Sequence, residues 1–235
     1  MSNPKGIILS APSSGCGKTT ITLGLLRALK NSGLQIKSAK SGPDYIDTRF
    51  HAAASGSECY NLDSWAMCPD QICKLANEAT PLIIEGAMGL FDGAPPEGKG
   101  STSDLAGIPK LPVVLILDAA SQAQSIAALT LGFQKLDPNV KISGIILNKV
   151  GSDKHNRILL KALEPLGIPI LGSIYRNKDL NMPSRHLGLV QAQELNNLDE
   201  FLNTAAKIVS DSIDIAKLIK LMKPIPKQKK DTNLF

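Results

Sequence analysis

Lys18 and Thr19 follow two glycines, Gly15 and Gly17, where an apolar run gives way to a helix-forming stretch, and this combination suits an anion. Glycines at those positions let the backbone bend so that successive N–H groups of Ser14, Gly15, Cys16 and Gly17 converge on phosphate oxygens. The positive end of the helix beginning at Lys18-Thr19-Thr20 adds to them. Lys18 supplies a point charge for the β and γ phosphates of a nucleotide, and the Thr19 hydroxyl is placed to ligate Mg²⁺. The usual pattern opens with a glycine five residues before Gly17; here that residue is Pro12. The rest of the run still reads as a nucleotide site rather than a plain turn, with ATP the expected ligand.

Two acidic segments accompany it. Lys40-Ser41-Gly42-Pro43-Asp44-Tyr45-Ile46-Asp47 stands at the end of a second strand candidate, with Asp44 and Asp47 three residues apart. Such carboxylates hold Mg²⁺ or its waters, position a substrate, or cap the next helix. Lys40 can face a transferring phosphoryl group. Glu85 ends the buried run Leu82-Ile83-Ile84 and precedes Gly86, the arrangement that reaches a phosphate-bound Mg²⁺ from the far side. Thr19, Asp44 and Glu85 are thus the expected metal contacts, and Lys40, Asp44, Asp47 and Glu85 the expected catalytic set. Asn148, after Ile145-Ile146-Leu147, either reads an adenine edge or turns the chain. Arg185-His186 can meet an acidic ligand. Trp65, Met67 and Met88 read as packing residues.

Strands must carry these groups. Strand candidates fall at 6–11, 35–40, 82–86, 112–118, 142–148 and 168–173, with helix candidates near 18–31, 70–78, 122–136, 153–164 and 197–220. Runs such as Pro112-Val113-Val114-Leu115-Ile116-Leu117 suit strands buried on both faces. Their alternation with helices predicts a doubly wound, mostly parallel α/β sheet whose ligands sit beyond the carboxyl ends of the strands. Segments 41–66 and 87–110 read as long binding loops.

The 235 residues suffice for one buried domain, and 43% hydrophobic with 20% charged residues excludes global disorder. No apolar run approaches the roughly 20 residues of a membrane-spanning helix, and no export signal is seen, so a cytoplasmic location is expected. Cys16, Cys59, Cys68 and Cys73 form no Cys-x-x-Cys pair and read as reduced thiols. A net charge of +5 comes largely from the tail around Lys223, Lys227, Lys229 and Lys230, and aromatics are only 4%, which argues against nucleic acid. Residues 213–235 read as a linker or tail after a domain of 1–212.

With these segments in order, the chain resembles the N-terminal synthetase domain of the cobyrinic and hydrogenobyrinic acid a,c-diamide synthases. The resemblance rests on Ala11–Thr20, Lys40–Asp47 with His51, and Asn61-Leu62-Asp63-Ser64-Trp65. It continues through Glu85-Gly86-Ala87-Met88-Gly89-Leu90-Phe91-Asp92-Gly93, Gly100-Ser101-Thr102, Gly144–Asn148 and Pro183-Ser184-Arg185-His186-Leu187-Gly188-Leu189. Pro12 belongs to that family's loop. Gln122-Ala123-Gln124-Ser125 leans toward the hydrogenobyrinic branch.

The resemblance implies a dethiobiotin-synthetase-like P-loop fold and ATP-dependent amidation of the a and c carboxylates of a corrin macrocycle through an acyl phosphate. It implies Tyr45, Asp47, Ser101, Arg185 and His186 on the substrate side, and Ser14 to Thr20 with Asn148 on the nucleotide side. It also implies ammonia from a glutaminase domain that follows the synthetase in full-length relatives and is absent from this sequence, and a homodimer by analogy of fold. The competing readings are a partition-type ATPase switch, which carries a second lysine where Ser13 stands, and another synthetase of this fold such as dethiobiotin synthetase.

Overall fold

The computed structural model describes residues 4–78, 81–180 and 197–226. Its strands are β1 (Lys5–Ser10), β2 (Lys37–Ser41), β3 (Cys59–Leu62), β4 (Leu82–Glu85), β5 (Val113–Asp118), β6 (Ile142–Val150), β7 (Ile170–Tyr175) and β8 (Lys223–Pro224). The first seven form one parallel sheet in the order β3-β2-β4-β1-β5-β6-β7, and β8 runs antiparallel against the start of β1. The helices are α1 (Lys18–Asn31), α2 (Tyr45–Ser55), α3 (Pro69–Glu78), α4 (Thr102–Gly107), α5 (Ser125–Leu136), α6 (Asp153–Leu163), α7 (Leu198–Ser212) and α8 (Ile215–Leu221).

Side chains alternate across each strand, so one sheet feeds two cores. Ile7, Leu9, Ile83, Val114 and Ile116 pack with α1, α2, α7 and α8, whereas Ile8, Ile84, Val113, Leu115 and Leu117 pack with α3, α4, α5 and α6. Burial on both faces is why the central strands are continuous apolar runs rather than alternating ones. The expected doubly wound parallel α/β sheet is therefore the observed one. No helix among the described residues is long and apolar enough to cross a membrane.

The two segments expected as long loops are partly ordered. Residues 41–66 contain α2 and β3, and 87–110 contain α4. Helix α2 starts because the Asp44 side chain accepts from the N–H groups of Ile46 and Asp47, and it ends at Gly56, whose φ is 71°. Its inward face carries one large apolar side chain, Phe50, among polar or small ones, Asp47, His51, Ala54 and Ser55, which hides the usual apolar period. Ser101 caps α4 by accepting from the N–H of Asp104.

The tail also departs from expectation. The single helix expected over 197–220 breaks at Ile213, which bridges to Gly172 of β7, and Asp214 then caps α8. Ile213, Leu218, Met222 and Ile225 are buried, so the stretch expected as linker from residue 213 is folded onto the domain as far as Pro226.

Candidate active site

The neighbouring strands β2, β4 and β1, with β6 one strand further on, bring the expected groups to one edge of the sheet. The loop after β1 turns into α1 through Gly15 and Gly17, at φ 81° and 89°. Left-handed backbone of this kind suits glycine, and a Cβ at Gly17 would stand 2.3 Å from Asn148 Nδ2. Among the described residues no acceptor meets the N–H groups of Gly15, Gly17, Lys18 or Thr19. That leaves a cradle of donors at the positive end of a 14-residue helix. Lys18 Nζ donates to the carbonyls of Ser13 (3.1 Å) and Met88 (2.5 Å). Burial lowers its pKa, against the attraction of Glu85.

Asn148 braces this loop from β6. Its Nδ2 donates to the Cys16 carbonyl at 2.8 Å, and its Oδ1 accepts from the Lys149 N–H at 2.9 Å. The amide, read from sequence as facing an adenine edge or turning the chain, is engaged in holding the phosphate loop, and Asn148 also lines the neighbouring cavity. Lys149, which sequence reasoning passed over, works beside it: its Nζ donates to the Gly15 carbonyl (3.0 Å) and pairs with Asp118 (2.6 Å).

The charged cluster lies on the other side of the loop. Lys40 Nζ stands 2.8 Å from Glu85 Oε1 and 2.7 Å from Asp47 Oδ2, with Asp44 Oδ2 at 4.0 Å. Thr19 Oγ1 donates to Glu85 Oε1 at 2.6 Å. Glu85 Oε2 meets His51 Nε2 at 2.7 Å, and Cys59 Sγ lies 3.6 Å from the other ring nitrogen. His51 entered the sequence reading only as part of the family resemblance. Its spacing was the available signal, because Asp47 and His51 are four apart and so share one face of α2.

Burial by itself would neutralise these groups, but their mutual attraction outweighs it. Desolvation opposes the Lys40 charge, and Glu85 and Asp47 overcome it, raising its pKa above the ordinary lysine value. Desolvation likewise opposes the His51 imidazolium, yet hydrogen bonds with Cys59 and Glu85 raise its pKa to about 9. Glu85 is fully buried; Lys40 and His51 hold it ionised, with its pKa well below the usual carboxylate range.

Thr19, Lys40, Asp44, Asp47 and Glu85 line one cavity of about 480 Å³ together with Ser14, Gly15, Gly17, Lys18 and Thr20. A second cavity, about 610 Å³, opens toward β6 and β7 between Thr20, Asn148 and the segment from Tyr175 to Lys178. Tyr45 stands exposed beside Asp44. Ser101 is not brought to the cluster: it is buried, capping α4 and bonded to Ser103 at 2.7 Å. Arg185 and His186 lie outside the described residues. Trp65 and Met88, expected as packing residues, are exposed.

Residues 7–190 match the CobQ/CobB/MinD/ParA nucleotide binding domain family. The chain is 53% identical over 219 residues to the hydrogenobyrinate a,c-diamide synthase of Brucella anthropi, covering 91% of this chain and 50% of that protein. The protein of the same name from Mesorhizobium japonicum is 45% identical over 227 residues, covering 94% and 52%. The chain therefore spans about half the length of the curated relatives it matches. Among solved structures, chloroplast FtsY of Physcomitrella patens aligns with TM-score 0.56 at 18% identity, over 87% of this chain and 66% of that one. The cell division protein FtsY of Thermotoga maritima aligns with TM-score 0.52 at 16% identity, over 86% and 68%. At such identity these two speak for the fold alone. With a phosphate cradle, a buried carboxylate opposite it and a match running from β1 past β7, this chain belongs to the CobQ/CobB/MinD/ParA nucleotide-binding domain family.

Proposed function

We propose that this chain is the ATP-dependent synthetase unit of a hydrogenobyrinate a,c-diamide synthase, activating corrin carboxylates for amidation. The observation that carries the reading is the cluster beside the phosphate cradle: Lys40, Asp47, Glu85 and Thr19 joined by contacts of 2.6–2.8 Å in one cavity. A nucleotide switch has no use for a buried lysine and two carboxylates at the point where a γ-phosphoryl group would lie. The identity to hydrogenobyrinate a,c-diamide synthases supports a corrin acceptor.

The fit to ATP rests on the free N–H cradle and the adjoining 610 Å³ cavity. The fit to Mg²⁺ rests on the donor set, one hydroxyl (Thr19) and one carboxylate (Glu85) at the cradle, with Asp44 nearby. That is the sparse oxygen set a magnesium ion takes when phosphates and waters complete its shell. Thr19, Glu85 and Asp44 would hold it, and it would neutralise charge on the phosphates.

In the proposed reaction a substrate carboxylate oxygen attacks the γ-phosphorus and ADP leaves, giving an acyl phosphate. Ammonia then attacks the acyl carbon, and phosphate departs with the C–O electron pair. Lys18 and Lys40 offset the charge that gathers between two anionic partners. Because Glu85 and Asp47 hold Lys40 protonated, it acts as a fixed positive charge and not as a base. Asp44 and Asp47, at the mouth and wall of the cavity, set the approach of the acceptor. The ammonia would come from glutamine, released by a glutaminase unit such as the other half of the longer relatives would supply.

The test is ADP release by the purified chain with Mg-ATP, ammonium and hydrogenobyrinic acid, leaving out each in turn. Turnover that needs the macrocycle and ammonium, with none from glutamine, is the expected result. Steady hydrolysis indifferent to the macrocycle would overturn the reading and favour the partition-type switch.

A further inference from the structure

Eight large apolar side chains stand exposed among the described residues, and three of them follow neighbouring strands of the sheet. Tyr45 is 65% exposed, Trp65 63% and Met88 50%. They leave the sheet from β2, β3 and β4, which are neighbours in the order β3-β2-β4. Single exposed apolar residues need no explanation, but three on adjacent strand exits point to a shared surface.

Short contacts tie the three exits together. Asn61, at the end of β3, donates from Nδ2 to the carbonyls of Gly42 (2.6 Å) and Asp44 (3.1 Å), fixing the approach to Tyr45. A Cβ on Gly100 would lie 3.0 Å from Trp65 Cβ, and Ser64 Oγ donates to the Ser101 carbonyl at 3.3 Å. The next residue, Thr102, donates to the Ala87 carbonyl at 3.3 Å, beside Met88. Met88 has a φ of 46°, a conformation unfavourable for any residue but glycine. Its carbonyl turns inward to Lys18 while half its side-chain-bearing surface faces out. Met88 also lines the cavity that holds Lys40 and Glu85.

This patch lies on the β3-β2-β4 side of the phosphate cradle, whereas the 610 Å³ cavity suited to a nucleoside lies on the β6-β7 side. The acceptor is thus left the apolar side. Two aromatic rings and a polarisable thioether favour a flat, extended π system over a small polar acid.

We propose that Trp65 and Met88, with Tyr45, form the platform on which one face of the macrocycle rests while a peripheral carboxylate reaches Lys40. The inference rests on the corrin reading above. It assigns specificity for the acceptor to the side chains of Trp65 and Met88, the second of which lines the cavity that holds Lys40.

The test compares Trp65→Ala, Trp65→Phe and Met88→Ala in the 235-residue chain with Mg-ATP, ammonium and hydrogenobyrinic acid. Each alanine variant is expected to raise the macrocycle KM about tenfold, while the KM for ATP moves less than about twofold and Trp65→Phe stays within about threefold of the parent. The unmoved ATP value reports an intact fold. Macrocycle KM values unchanged in both alanine variants, with macrocycle-dependent turnover intact, would overturn the platform and leave the proposed function standing. Should the parent show no such turnover, direct binding decides. Trp65 is the chain's one tryptophan, so its fluorescence reports the patch. Saturable quenching by hydrogenobyrinic acid, with the Kd raised about tenfold in Met88→Ala, would uphold the platform while the amidation reading fails. No saturable quenching, or a Kd unmoved by Met88→Ala, would overturn it.

Discussion

Lys40 and Glu85 are register partners on the adjacent parallel strands β2 and β4, and their side chains meet at 2.8 Å with both residues buried. Burying two charges costs more than their attraction returns unless every remaining lone pair and proton is also satisfied. Here Asp47 takes the second face of the ammonium, and His51 and Thr19 take the rest of the carboxylate. The same groups face the phosphate cradle, so an arrangement that adds little to stability is placed where transferred charge must be met.

Glu85→Gln should therefore be costly twice over. It leaves Lys40 with Asp47 and the more distant Asp44, and takes from His51 its carboxylate partner; breaking a buried pair in this way costs about 3–5 kcal/mol. Macrocycle-dependent turnover should fall by about 10² or more, the size of effect seen when one charge-stabilising group is lost. Urea unfolding and ADP release read the two separately. Wild-type turnover in Glu85→Gln would remove Glu85 from the chemistry.

Stability should depend on pH through His51. Its pKa of about 9 in the folded chain lies above its ordinary 6.5, so the stability it contributes is full below pH 6.5 and is lost as pH rises toward 9. Glu85 has the opposite sign: its folded pKa lies below the ordinary 4.5, so its contribution holds above that pH and fades in acid. The metal-free chain should show a plateau between these limits, read by denaturant midpoints across pH. His51→Gln should flatten the alkaline limb; an unchanged limb there would show that His51 does not carry it.

Gly17→Ala should abolish nucleotide binding. The new Cβ meets Asn148 Nδ2 at 2.3 Å, in a backbone of φ 89° that disfavours alanine. Relief requires moving either the loop or its brace, and strain of this kind costs on the order of 1–3 kcal/mol. Calorimetric titration with ATP should show no binding, while the cooperative unfolding transition persists at a lower midpoint. Unaltered affinity would mean that the loop adopts another path when loaded.

Ending the chain at Ser212 should destabilise the domain rather than trim a linker. Ile213, Leu218, Met222 and Ile225 would lose their burial, and β1 would lose its antiparallel partner. Each such side chain is worth roughly 1.5–3 kcal/mol before the ordering entropy of the segment is subtracted. A fall of several kcal/mol in urea is expected. A truncated chain as stable as the parent would restore the boundary at 212.

The sequence alone determined the parallel sheet, because strands buried on both faces must be continuous apolar runs, and it located the phosphate loop, because glycines before Lys18-Thr19 at a strand-to-helix junction have few other uses. It also singled out Lys40, Asp44, Asp47 and Glu85. It concealed α2 and α4, whose short inward faces each carry one large apolar residue, Phe50 or Leu105, among small or polar ones, and it concealed the fold of residues 213–226, where lysines and prolines outnumber the four buried side chains. Partner choice was decided only in three dimensions. Strand order sets Lys40 against Glu85 across 45 residues of chain, one helical turn brings His51 to the same carboxylate, and β6 sends Asn148 back onto the loop. Such contacts depend on register and crossover between distant segments, for which local composition carries no signal.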